Sequence, residues 1–331
     1  DMIHAKNDVA EQQPEQQGNE EFMMNQMSQT EMTEKILRLK KEKNVLILAH
    51  YYQELCIQHI ADFCGDSFEL AKKARGSDKE NIVFCGVSFM AESAKIMNPE
   101  KHVFIPRADA GCQMADMITP EVVADMRRAH PDAAVVCYIN SSAATKAVSD
   151  ICVTSSNAVK IVGTLKEKEI IFVPDQNLGS FVADAFPEKQ FYFMDGFCPI
   201  HHHVTKEALL DARTMHPSAK IAMHPECRKE MLSFADYIGS TSGILDFCRE
   251  SNDKEFIVVT ERAIVDRLRE ECPDKAFYLA STCLVCPNMK KTRLCDVLST
   301  LETLDDEVYM TEEEMHAARL PLERMLEAAK K

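Results

Sequence analysis

Short apolar runs recur along this chain at a nearly fixed interval. Val45-Leu46-Ile47-Leu48-Ala49, Ala134-Val135-Val136-Cys137 and Ile221-Ala222-Met223 have no polar alternation, which is the pattern of parallel strands buried on both faces. They end in His50-Tyr51-Tyr52-Gln53, Tyr138-Ile139-Asn140 and His224-Pro225-Glu226, with His50, Tyr138 and His224 separated by 88 and 86 residues. At the same offsets come Ile82-Val83-Phe84, Ile170-Ile171-Phe172 and Phe256-Ile257-Val258, then Val103-Phe104-Ile105, Phe191-Tyr192-Phe193 and Phe277-Tyr278-Leu279. Ser67, Ser155 and Thr241 hold equivalent positions inside polar clusters that open helical segments. Such self-similarity marks internal repeats. Strands alternating with helical segments in each unit predict three small α/β domains with parallel sheets.

The flanks follow from the same patterning. Residues 1–30 lack periodicity and are expected as a disordered tail. A helix is expected to start at Thr30 or Thr33, with Met32, Ile36 and Leu39 on one face. The repeats are placed at 31–118, 119–204 and 205–290. Residues 291–331 read as helices: Leu294, Val297, Leu298 and Leu301 share a face, Asp305-Asp306-Glu307 breaks the pattern, and Thr311 with Glu314 forms a capping box.

Composition narrows the function classes. The net charge of −15 gathers at the two ends, and there is no basic stripe, which argues against nucleic acid and anionic membranes. No apolar run approaches the ~20 residues of a membrane span. Thirteen cysteines without an export signal lead to the expectation of a reducing, cytoplasmic setting with free or metal-bound thiols.

Candidate chemistry collects where the topology directs it. Ligands of open parallel sheets bind beyond the carboxyl ends of the strands, where His50, Tyr52, Tyr138, Asn140, His224 and Glu226 lie. Ser67, Ser155 and Thr241 open helices, whose N-termini favour anions. Cys112, Cys198 and Cys286 are spaced by 86 and 88 residues and follow the last strand of each unit, so three thiolates are expected at one point. They suit either Zn²⁺ with a fourth ligand or three irons of a [4Fe–4S] cluster whose fourth iron acts as a Lewis acid.

The chain resembles the quinolinate synthase family over residues 31–300. The motifs that carry the resemblance are Ala49-His50-Tyr51-Tyr52-Gln53, Gly65-Asp66-Ser67, Gly111-Cys112, Tyr138-Ile139-Asn140-Ser141, Thr154-Ser155-Ser156-Asn157-Ala158, Gly196-Phe197-Cys198-Pro199-Ile200-His201, Met223-His224-Pro225-Glu226-Cys227, Gly239-Ser240-Thr241-Ser242-Gly243 and Cys286-Pro287-Asn288-Met289-Lys290. The resemblance implies three pseudo-symmetric Rossmann-like αβα domains with short parallel sheets around a central site. It implies condensation of iminoaspartate with dihydroxyacetone phosphate to quinolinate, with loss of phosphate and water, in NAD biosynthesis. It implies a [4Fe–4S] cluster on Cys112, Cys198 and Cys286 with one iron open. Substrate contacts are implied at His50, Ser67, Tyr138, Ile139, Asn140, Ser155, His201, His224, Pro225, Glu226 and Thr241, with Tyr52 close by. It further implies an upstream supplier of iminoaspartate, L-aspartate oxidase or aspartate dehydrogenase.

Roles follow from residue chemistry. Glu226 is expected as the general acid/base, its pKa raised by closure of the site. Tyr52 and Tyr138 are expected to donate to developing oxyanions, and His50 and His224 to neutralise substrate anions. Of His201-His202-His203, only His201 is placed in the site, because neighbouring side chains point apart. His130 and His216, each before a Pro, are expected to be structural, and most other cysteines to be small buried apolar residues. Cys283, three residues before the presumed ligand Cys286, offers a second thiol for a competing disulfide.

Overall fold

The structure, a computed structural model, describes residues 27–330. It contains three four-stranded, wholly parallel sheets. The first has β1 (Val45–His50), β2 (Phe63–Gly65), β3 (Asn81–Cys85) and β4 (His102–Phe104) in the order β2-β1-β3-β4. The second repeats that order with β5 (Ala134–Tyr138), β6 (Ile151–Val153), β7 (Glu169–Val173) and β8 (Gln190–Phe193). The third does so with β9 (Lys220–Met223), β10 (Tyr237–Ile238), β11 (Glu255–Val259) and β12 (Ala276–Leu279). Helices flank every sheet, so the chain is three pseudo-symmetric αβα domains.

The apolar runs become central strands. Every residue of β1 and of β5 is buried, and the strand order reverses between β1 and β3, the crevice where such folds take ligands. The short strands β2, β6 and β10 are additions to the expected pattern, and one device places all three. Asp62, Asp150 and Asp236 precede them, and their carboxylates accept the backbone N–H of Ile47, Val135 and Ile221 at 2.8, 2.7 and 2.8 Å. Each of these aspartates also donates its own N–H to the carbonyl of that same residue. The pairing pins the chain as it returns beside the first strand of each domain.

Residues 1–26, within the expected tail, lie outside the described residues. The helix Gln29–Glu42 begins earlier than expected because Ser28 caps it in a reciprocal box with Glu31, the motif that satisfies two orphan helix donors. Ile36 is buried, and Met32 and Leu39 pack beside it. Leu294, Val297, Leu298 and Leu301 join that same cluster, so the helix Leu294–Thr303 returns to cover the first sheet. Leu304 ends it at φ 57°, and the following segment pairs with the sheet edge through Phe104 and Glu307. The helix Glu312–Ala328, capped by Thr311 and Glu314 as expected, packs on helices Ser88–Met97 and Ala143–Ala147. It thereby ties the first domain to the second. Among the described residues, no helix is long and apolar enough to cross a membrane.

Candidate functional site

The carboxyl ends of all three sheets face one central cavity of about 840 Å³, the open space at its mouth included. His50, Tyr52, Tyr138, Asn140, His224 and Glu226 line it, as do Ser67, Ser155, Thr241, His201, Cys112, Cys198 and Cys286. Ile139 and Pro225 do not line the cavity: Ile139 lies in the core and gives its N–H to Val153. His202 and His203 turn away, and His202 stacks on Phe197 at 4.1 Å. His130 and His216 stack on Tyr192 and Tyr278, both at 3.4 Å, matching their expected structural role.

A chain of hydrogen bonds crosses the cavity from domain to domain. Tyr138 donates to Glu226 Oε1 at 2.5 Å, and His201 Nδ1 lies 2.6 Å from Glu226 Oε2. His201 Nε2 meets Thr260 Oγ1 at 2.9 Å, Thr260 meets the Tyr52 hydroxyl at 2.9 Å, and Thr241 donates to that hydroxyl at 3.0 Å. Burial pushes the Glu226 carboxyl up, but the hydrogen bonds from His201 and Tyr138 hold the group below its ordinary range. The expected upward shift is therefore reversed: a carboxylate facing two donors stays ionised. An ionised Glu226 places the proton of His201 on Nδ1, leaving Nε2 to accept from Thr260. Thr260 then accepts from Tyr52, and every hydroxyl donates in one direction. Burial, with Glu226 nearby, raises Tyr52 well above the usual phenol value, so it is a neutral donor.

The two histidines at the carboxyl ends of β1 and β9 are neutral too. His50 Nδ1 accepts the N–H of Tyr52 at 3.0 Å, and His224 Nδ1 accepts that of Glu226 at 3.2 Å. The remaining proton of each ring sits on Nε2. Burial, the largest influence, drives both to about 3. They can donate hydrogen bonds to an anion but carry no charge to neutralise one. Among the described residues, neither Lys nor Arg lines the cavity. Asn140 Oδ1 is buried with no partner, a vacancy that a ligand donor would fill.

The cysteines approach from equivalent loops, each leading into a short helical turn: Ala115–Met117, Pro199–His202 and Asn288–Lys290. The strands repeat at 88 then 86 residues and the cysteines at 86 then 88, so Cys198 stands two residues ahead of register. Burial raises all three thiols, Cys112 to about 12, against backbone N–H groups of Ala115 and Met114, His201, and Met289 and Asn288 that favour the thiolate. Backbone donors arranged toward three sulfur anions fit a metal centre. Among the described residues, the compact donor group is Cys198, His201 and Glu226, whose ligand atoms lie within 4.8 Å of one another.

Three cavity neighbours were not foreseen. Thr260 links Tyr52 to His201, Glu261 is fully buried beside Cys286, and Asp175 is fully buried with Oδ2 unpaired. Thr260 and Glu261 follow β11, and Asp175 follows β7. The rule applied to the first strand of each domain holds for the neighbouring one as well.

The match to known proteins covers nearly the whole chain. The family model described as Quinolinate synthetase A protein matches residues 34–327. Quinolinate synthase of Clostridioides difficile (strain 630) is 46% identical over 288 residues, 87% of this chain and 95% of that protein. Quinolinate synthase of Geobacter sp. (strain M21) is 48% identical over 300 residues, 91% and 98% of the two chains. That of Sulfurihydrogenibium sp. (strain YO3AOP1) is 48% identical over 308 residues, 92% and 100%.

Proposed function

The chain belongs to the quinolinate synthetase A family, and we propose that it makes quinolinate from iminoaspartate and dihydroxyacetone phosphate. The atoms balance with release of one phosphate and two waters. The observation that carries this reading is the convergence of three domains on one cavity that combines three thiols, an ionised carboxylate and a ring of neutral donors. Small anions suit such a cavity. The N–H of His50 and His224 and the hydroxyls of Ser67 and Ser155 donate to carboxylate or phosphate oxygens. Helices Ser67–Gly76 and Thr241–Glu250 add their N-terminal dipoles. Asn140 holds a substrate N–H or O–H through its unpaired Oδ1.

Cys112, Cys198 and Cys286 would hold a [4Fe–4S] cluster. When bound, it supplies an iron without a protein ligand, able to polarise a substrate oxygen. The protein's own part is proton movement. Glu226 and His201 form a base unit that acts through Thr260, the arrangement of a carboxylate orienting an imidazole toward a hydroxyl. As Tyr52 gives up its proton toward Thr260, His201 takes one on Nε2, and Glu226 stabilises the imidazolium. The reverse transfer returns a proton through Tyr52 to a leaving hydroxyl. Tyr138 orients Glu226 from the opposite side.

Iron and acid-labile sulfide, counted after anaerobic reconstitution, test the cofactor together with turnover. The wild type should hold both and release phosphate from dihydroxyacetone phosphate only when iminoaspartate is added. Cys112→Ser, Cys198→Ser and Cys286→Ser should each lose both properties. A zinc-loaded, colourless protein, or full cluster retention in any of the three variants, would overturn the assignment.

A further inference from the structure

Lys290 has no part in the hydrogen-bond chain described above, yet its side chain is mostly buried against that chain's end. Its ammonium donates to the carbonyl of Tyr52 at 2.6 Å and lies 3.0 Å from Glu261 Oε1 and 3.2 Å from Oε2. Glu261 is fully buried. It accepts from the N–H of Ala263 at 2.8 Å and of Cys286 at 3.2 Å. One carboxylate therefore grips the Cys286 loop by its backbone and Lys290 by its charge, and Lys290 hands that grip across the domain boundary to Tyr52. Gln53 adds a second tie, donating to the carbonyl of Met289 at 2.9 Å. Arg262 adds a third, to Glu54 at 2.7 Å.

The placement is costly without a purpose. A buried ion pair repays its desolvation poorly, and well-packed apolar residues often serve stability as well. Here the pair joins the loop that carries Tyr52, in the first domain, to the loop that carries Cys286, in the third. We propose that Lys290, held by Glu261, is a positioning residue. It fixes the Tyr52 backbone on the Cys286 loop, so that the Tyr52 hydroxyl reaches Thr260 only while the two loops are joined. The inference rests on the proposed role of Tyr52 in proton transfer, but the joining of the loops is measurable without it.

The test compares Lys290→Met with the double variant Glu261→Gln/Lys290→Met, both as reconstituted holoenzyme. The single variant leaves the Glu261 charge buried and unpaired, so it alone would confuse lost positioning with lost stability; the double variant removes both charges. Amide hydrogen exchange of the peptide holding Tyr52 and Gln53 should quicken at least about tenfold in both variants. Turnover should fall about 100-fold in both, with KM changed less than about threefold, the pattern of a misplaced group rather than lost binding. The melting temperature should recover in the double variant while turnover does not. Wild-type exchange in both variants would overturn the joining itself. Faster exchange with unchanged turnover would keep the joining and overturn the role of Tyr52. Recovery of turnover with stability in the double variant would reduce Lys290 to a charge partner.

Discussion

Glu226 is buried and still ionised because each of its oxygens faces a donor, Tyr138 on one side and His201 on the other. Glu226→Gln should lower turnover by about 10²–10⁴, the range of a lost general base, with iron and sulfide content unchanged. Thr260→Val removes only a hydroxyl from a buried position, so it should lower turnover at least about tenfold and change the solvent isotope effect, while Thr260→Ser restores both. Normal turnover in Thr260→Val would remove Thr260 from the relay. His50 and His224 give a different signature. Their folded values of about 3 lie below the unfolded ~6.5, so the unfolded chain binds more protons between those limits. Their contribution to stability is complete above about pH 6.5 and is lost as pH falls toward 3. Ring carbon shifts of both histidines should stay at neutral values from pH 7.5 down to about pH 5. Titration with a midpoint near 6.5 would contradict the buried, neutral assignment.

At the scale of the element, the first, third and fourth strands of each domain were legible because they are short unbroken apolar runs at a fixed interval. The strands β2, β6 and β10 were not, since two or three residues cannot display a pattern. Their marker was instead the polar residue ahead of them, Asp62, Asp150 or Asp236, which keeps the same interval. The site divided along a similar line. Residues after β1, β5 and β9 could be placed by topology alone. Thr260 and Glu261 could not, because their equivalents after β3, Gly86 and Val87, have no polar side chain to suggest a pattern. The upward shift expected for Glu226 failed because burial was foreseen and its two donors were not. Asp150→Ala should leave the Val135 N–H buried and unpaired, at about 1–3 kcal/mol, read as a lower urea midpoint. An unchanged midpoint would show that the N–H finds another partner.

Across the whole molecule, three similar domains each contribute one cysteine and one set of polar loop residues, so no single domain holds a complete site. The C-terminal helix joins two of them by burying Met315, Ala318, Leu322, Met325 and Leu326 in the core they share. Leu322→Ala should cost about 2–5 kcal/mol, seen as a lower melting temperature, and loosening this joint should also raise KM. A stability loss without any change in KM would separate that helix from the geometry of the site. The measurement that bears most directly on the account is quinolinate itself, quantified after anaerobically reconstituted protein meets iminoaspartate and dihydroxyacetone phosphate. The account predicts one quinolinate for each phosphate released, and none when either substrate is omitted. Protein with its full complement of iron and sulfide that forms no quinolinate from the two together would contradict it.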